Sequence, residues 1–145
     1  MRRRHYTASA NDGATAVEFA LVVFPMLLVL LGIAEFGRFF WTAQCLQRTA
    51  TRAARCMGLL QSSCAANSTY SANATTSYVQ AQAATYGFTL ASGAITLVNP
   101  TTCAGVTGFS SVQINYTFTS LVPTLLPALA AGIPVTARAC FPNQL

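Results

Sequence analysis

The sequence predicts an α+β protein in which a long N-terminal transmembrane helix continues into an exported amphipathic helix that packs on a small antiparallel sheet. Three observations predict it: an uncharged apolar run near the N-terminus, a helical apolar stripe directly after it, and period-two alternation confined to the C-terminal half.

The run FALVVFPMLLVLLGIA, from Phe19 to Ala34, carries no charge, and with Ala14 to Val17 in front it reaches the ~20 residues that span a bilayer. Glu18 alone interrupts it. Arg2, Arg3 and Arg4 precede the run and no comparable cluster follows, so the positive-inside rule places the N-terminus in the cytoplasm and everything past about Arg38 outside. Cleavage as a secretory signal is disfavoured, because Glu35-Phe36-Gly37-Arg38-Phe39-Phe40-Trp41 lacks the small residues of a signal cleavage site. The segment stays as an anchor. Gln44 is too large for the position before a lipidated cysteine, which argues against lipid attachment at Cys45.

Beyond the membrane, Phe39, Ala43, Leu46, Ala50, Ala53 and Met57 recur at steps of four and three and form one apolar stripe. Gln44, Arg48, Thr51, Arg52 and Arg55 fall on the opposite face, which reads as solvated. Gly58 reads as the C′ residue, giving a helix from about Thr15 to Met57, ~60 Å long at the α-helical rise, with a kink at Pro25. Ser62 to Ser77 reads as a loop, and Tyr78, Val79, Ala83 and Tyr86 as a short helix stopped by Gly87. Strands are expected at Ala94 to Val98, ending at Asn99-Pro100; at Val112, Ile114, Tyr116 and Phe118; and from Ile133 to Phe141. Leu121 to Gly132 is an apolar connection. The organisation is a leader (1–13), a transmembrane helix (14–36), an exported helix (37–58) and a small exported α+β domain (59–145).

Composition excludes several functions. Charged residues make up 8% of the 145, against about 25% in an ordinary soluble domain. Asp12, Glu18 and Glu35 are the only acids, and past Arg38 there is no Asp, Glu, His or Lys. The exported part therefore has no general acid or base, and a cysteine nucleophile there has nothing to activate it, so no catalytic residues are assigned. No metal site is expected either, since Cys45, Cys56, Cys64, Cys103 and Cys140 lack C-x-x-C spacing and the one histidine, His5, is remote; no cofactor is implied. The net charge of +5 does not indicate a nucleic-acid partner, because the arginines sit at the membrane flanks and along one helix. Disulfides outside the cytosol are the better use of the cysteines. Cys56 with Cys64 and Cys103 with Cys140 are the favoured pairs, leaving Cys45 free, although spacing alone does not fix connectivity. Cys140 alternates onto the face opposite Val135, so Cys103 has to reach that side.

Three blocks carry a resemblance: Gly13-Ala14-Thr15-Ala16-Val17-Glu18-Phe19-Ala20-Leu21, Gly32-Ile33-Ala34-Glu35-Phe36-Gly37-Arg38, and Leu46-Gln47-Arg48-Thr49-Ala50-Thr51-Arg52-Ala53-Ala54-Arg55. They resemble the TadE-like family, minor pseudopilins of the tight-adherence (Tad or Flp) subclass of type IV pili. The resemblance implies a pilin-like fold in the bacterial inner membrane and a precursor cut on the cytoplasmic side by a prepilin peptidase. It also implies assembly into, or priming of, a pilus, with other pilins or pseudopilins, the inner-membrane assembly platform and the lipid bilayer as partners.

The residues fit such a role. Met1 to Gly13 supplies a short basic leader, a cut between Gly13 and Ala14 places Glu18 fifth in the mature chain, and five arginines then face two glutamates, a net of +3. Gly13 alone reads better as an ordinary pre-helix loop glycine; the leader, Glu18 and the apolar run together favour the cut. Glu18, among Val17, Phe19, Ala20 and Leu21, needs a cation from outside its own chain if it is ionised, and the α-amino group of a neighbouring mature subunit is the nearest candidate. A protonated or snorkelling Glu18 at the cytoplasmic interface is the alternative. Glu35 with Arg38 reads as an interfacial charge pair, Arg48, Arg52 and Arg55 read as a solvated face that in a filament could meet a neighbour, and three Asn-X-Thr/Ser sequons receive no role. The rival for the whole chain is an uncleaved, single-pass, membrane-anchored binding or adhesion protein outside any pilus.

Overall fold

The computed structural model describes residues 10–121 and 131–144, with side chains from Gly13 onward. The basic run Arg2-Arg3-Arg4 and most of the 121–132 connection lie outside the described residues. The chain divides into two units, Met1–Gly37 and Arg38–Leu145, and helix α1 (Ala10–Gly58) contributes to both. α1 begins upstream of the expected Thr15, at Ala10; the glycine in that stretch, Gly13, costs only about 1 kcal/mol relative to alanine. The helix is also continuous across Pro25.

In the first unit nearly every side chain of the apolar run is exposed, Phe19 at 69% and Leu21 at 71% among them. An exposed apolar surface of that extent is unfavourable in water and favourable in hydrocarbon, where a helix also satisfies its own backbone polar groups. With a best-window mean hydropathy of 2.5, α1 is long and apolar enough to cross a membrane.

In the second unit α1 becomes one-sided. Leu46, Ala50, Ala53 and Met57 of the expected stripe are buried, and Phe39 and Ala43 pack against the same core. The buried face is wider than the stripe, because Thr42, Cys45, Thr49, Ala54 and Cys56 join it. The two threonines are accommodated by local bonds, Thr42 Oγ1 donating to Arg38 O and Thr49 Oγ1 to Cys45 O, both at 2.9 Å.

After α1 the chain forms a small hairpin, β1 (Ala65–Ala66) and β2 (Thr69–Tyr70), inside the segment expected to be a loop. Its turn places Asn67 and Ser68 at φ 52° and 61°, a conformation that Asn tolerates well. Helix α2 (Ala72–Ala84) starts six residues before the expected Tyr78, because Ser71 caps it by accepting a hydrogen bond from Ala74 N at 3.4 Å. Val79 and Ala83 face the core.

The main sheet has antiparallel order β3-β4-β5, with β3 Ile95–Cys103, β4 Val106–Phe118 and β5 Ile133–Pro142. Its inner rows pair Leu97 with Val112, Ile95 with Ile114 and Ile114 with Ala137, then Tyr116 with Val135 and Phe118 with Ile133. All of these but Ile133 join the α1 face in one core, closed by edge-to-face contacts of Phe39 on Phe118 and Phe88 on Tyr116, each with centroids 5.6 Å apart. β3 does not end at Asn99-Pro100. It passes through register shifts between Val98 and Thr102 and resumes pairing to Cys103.

Two disulfides are present, Cys56–Cys64 and Cys103–Cys140, and Cys45 is free and buried. The first ties the last turn of α1 to the following loop. The second reveals a bend. Cys103 is paired with Val106 and Cys140 with Ser111, five positions along β4 and about 17 Å apart in a flat sheet, yet their Cα atoms lie 6.5 Å apart. The β3–β4 hairpin tip must therefore curl over the outer face of the sheet, which accounts for the burial of Ser111. Gly108, at φ 84°, supplies the left-handed residue in β4 that the curl requires.

Gly58 plays a different part from the expected one. It is the last helical residue of α1, and Leu60 rather than Gly58 takes the left-handed conformation, at φ 47°. A Cβ at position 58 would lie 2.7 Å from Phe141 Cδ1 and 2.8 Å from Pro142 O, and Gly58 O accepts a bond from Gln144 N at 3.0 Å. Glycine is needed because the end of β5 crosses the end of α1 at backbone distance. Asn143 then locks the crossing: its backbone N donates to Gly108 O, its Nδ2 donates to Asn99 Oδ1 at 2.8 Å, and its Oδ1 accepts from Ser110 Oγ.

Two outcomes are expected. Gly58→Ala in the detergent-purified protein lowers stability by about 1–3 kcal/mol, as overpacking does, while Gly93→Ala, whose Cβ would meet nothing within 4 Å, leaves the melting temperature near that of the parent. Equal melting temperatures for the two variants contradict the close crossing. Removing the Cys103–Cys140 bridge, with its separation of 37, costs about 4 kcal/mol against about 2.5 kcal/mol for Cys56–Cys64, with its separation of 8. Chemical denaturation of the two double-serine variants gives the order, and the reverse order removes chain closure as the cause.

Candidate functional site

Gly13, Ala14 and Glu18 lie within the first turns of α1 and are all exposed. The helix places Glu18 between Val17 and Phe19, 61% and 69% exposed, and no Lys, Arg or His occurs between residues 13 and 37. Beside it, Ala16, Val17, Ala20, Leu21 and Phe24 line a shallow apolar groove, the two alanines lowering its floor. A carboxylate on such a surface is costly in hydrocarbon when ionised, about 2.5–3.5 kcal/mol or more at the bilayer centre. Glu35, at the other end of the apolar segment, is 9% exposed, whereas Ala34 and Phe36 on either side are exposed.

In the second unit the arginines split into two environments. Arg38 lies over the Phe118 ring, 5.3 Å from its centroid, a cation–π contact at the edge of the core. Arg52 and Arg55 line a polar cleft of about 320 Å³ with Gln61, Tyr78 and Gln82. Arg52 Nη1 donates to Gln82 Oε1 at 3.1 Å, which fixes the guanidinium across the gap between α1 and α2. A second cleft lies near the α1 end, where Met57, Leu60, Tyr70, Asn99 and Asn143 are among the lining residues. Burial there pushes the Tyr70 phenol above its ordinary value near 10.

The residues singled out from sequence thus fall into separate groups. Gly13, Ala14 and Glu18 share one stretch of exposed helix, whereas Cys56, Cys64, Cys103 and Cys140 are all consumed in staples of the second unit. Among the described residues no three His, Cys, Asp or Glu side chains gather as a metal would require. Sequence reasoning treated Arg52 and Arg55 chiefly as a solvated face. It missed Tyr78 and Gln82 as the opposite wall, because nothing in the chain order shows which face of α2 meets α1. The signal present was three arginines at Arg48, Arg52 and Arg55, at helical spacing, with no Asp or Glu after Glu35.

Residues 13–55 match the family model described as TadE-like protein. No curated protein and no solved structure matches the chain. The matched stretch covers the membrane-type half of α1 and all but the last turn of its amphipathic half, the two parts whose geometry is described above. Over residues 13–55, less than a third of its length, the chain is similar to the TadE-like family.

Proposed function

We propose that the chain is a minor pseudopilin: a structural subunit whose leader, Met1 to Gly13, is removed on the cytoplasmic side by a prepilin peptidase. The mature protein, beginning at Ala14, then enters or primes a Tad/Flp-type pilus from the bacterial inner membrane, its C-terminal unit exported. The observation that carries this reading is α1 itself. One uninterrupted helix is apolar and exposed on all sides over its first half and one-sided over its second, where a three-stranded sheet covers it. A subunit of that build is held by lipid until its apolar half finds other helices, which is what extraction from a membrane into a filament demands.

Glu18 supplies the step that lipid alone cannot. Its carboxylate is favourable in hydrocarbon only when paired, and the α-amino group created at Ala14 of a neighbouring subunit is a cation at the matching depth. The mechanism is then a selection: a mature subunit loses the cost of its buried carboxylate on docking, whereas an uncut one offers no amine at position 14. An uncleaved anchor carrying a binding module remains the rival, and Glu18 separates the two. In the native host, Glu18→Ala is expected to leave membrane insertion, disulfide formation and export unchanged while reducing co-purification with pilus components about tenfold or more, a loss of at least 1.4 kcal/mol. Glu18→Asp retains part of the signal. Normal incorporation of Glu18→Ala at parental expression and processing levels contradicts the role assigned to Glu18.

A further inference from the structure

We infer that the cleft between α1 and α2 is a docking site for an Asp or Glu side chain of a different protein, and not for a second copy of this chain. The inference rests on the pilus-subunit reading for its setting but on separate residues, Arg52 and Arg55 on α1 with Tyr78 and Gln82 on α2, for its content.

Charge makes the case first. The second unit, Arg38–Leu145, carries five arginines and no Asp, Glu, Lys or His side chain. Arg48, Arg52 and Arg55 recur at steps of four and three on one helix, a spacing at which like charges repel by some tenths of a kcal/mol per pair. Only Arg55, in the last turn, is offset by the helix dipole. No Asp or Glu side chain of the unit relieves the rest, so the fold carries a repulsive row that its own stability does not require.

Geometry gives the row a use. The Arg52 guanidinium is oriented by one hydrogen bond to Gln82 and retains other N–H donors, while Arg55 and Tyr78 line the same opening of about 320 Å³. Two arginines lining one opening suit a carboxylate, which Arg recognises in bidentate fashion. The partner's charge follows by complementarity. A second copy cannot supply the acid, because this chain's acids are Asp12 at the leader end, Glu18 in the apolar segment and Glu35, which is 9% exposed. Copies meeting through this unit would instead place arginines against arginines. A lipid headgroup is disfavoured by distance, since Arg52 lies about 16 Å along α1 from Trp41, and Phe40 and Trp41 mark the aromatic belt expected at a membrane surface. The unit is thus built to meet an acidic partner in preference to another copy of itself.

The test uses the full-length chain in its native host with a photo-crosslinking residue in place of Gln61, at the rim of the cleft. The expected result is an adduct with a different protein, mapped to a segment containing Asp or Glu. That adduct should fall about tenfold or more in Arg52→Glu/Arg55→Glu, because truncating or reversing a docked ion pair costs at least that much. Replacing the mapped partner acid by Arg should restore the adduct to the charge-reversed chain and not to the parent. Non-reducing peptide maps of each variant confirm that both disulfides, and hence the fold, are retained. An adduct chiefly with a second copy of this chain, an adduct with phospholipid, no adduct, or an adduct unchanged by charge reversal each overturns the inference. Leader removal and pilus co-purification, read in the same cells, report on the functional proposal separately.

Discussion

A single helix is apolar all round over its first half and one-sided over its second, and most of the molecule follows from where along α1 that change falls. Up to about Gly37 the helix is apolar on every side, so its surface is compatible with lipid and costly in water. From Arg38 the same helix has one buried face, and water requires that face to be covered. Some 87 residues past Gly58 do little else: α2 and three strands wrap Leu46, Ala50, Ala53 and Met57. The small residues on that face matter as much as the large ones, because Ala50, Ala53 and Ala54 let the sheet and α2 approach the helix backbone.

A core built on alanines and one helix face is thin, and the two disulfides and the Gly58 crossing compensate at its ends. Small exported domains depend on such staples because the apolar area available to them is limited. One bridge holds the end of α1, and the other holds the curled hairpin tip against β5. Asn143 joins β3, β4 and β5 at the same end, so the region farthest along the helix from the membrane-type segment is the most heavily fastened. Among these ties, the bond from Gln144 N to Gly58 O joins the end of the sheet to α1, and the Cys103–Cys140 bridge and the Asn143 bonds hold the sheet's own strands together.

What could be read from sequence follows periodicity. The helix stripe and the Val112 to Phe118 alternation were legible because each residue's burial depends on its own position in a regular element. The hairpin at Ala65 to Tyr70 and the early start of α2 were not, because a polar stretch rich in Ser, Thr, Asn and Ala reads as a loop until a cap such as Ser71 is weighed. Gly58 was misread for a related reason. A glycine at a helix end suggests a left-handed C′ residue, whereas here the constraint comes from Phe141 and Pro142, more than eighty residues away in the chain. The candidate sites divide in the same manner. Gly13, Ala14 and Glu18 were legible as a linear pattern, whereas the Arg52 cleft needs the tertiary placement of α2 to exist at all.

Whether α1 is freed from a leader and docks among other helices, as proposed, can be read at the N-terminus of the protein. Intact mass and N-terminal peptide mapping of the protein purified from membranes of its native host should show a mature chain starting at Ala14, with Gly13 and everything before it gone. Retention of Met1 to Gly13, or a mature N-terminus at any residue other than Ala14, contradicts the account and leaves the uncleaved anchor in its place.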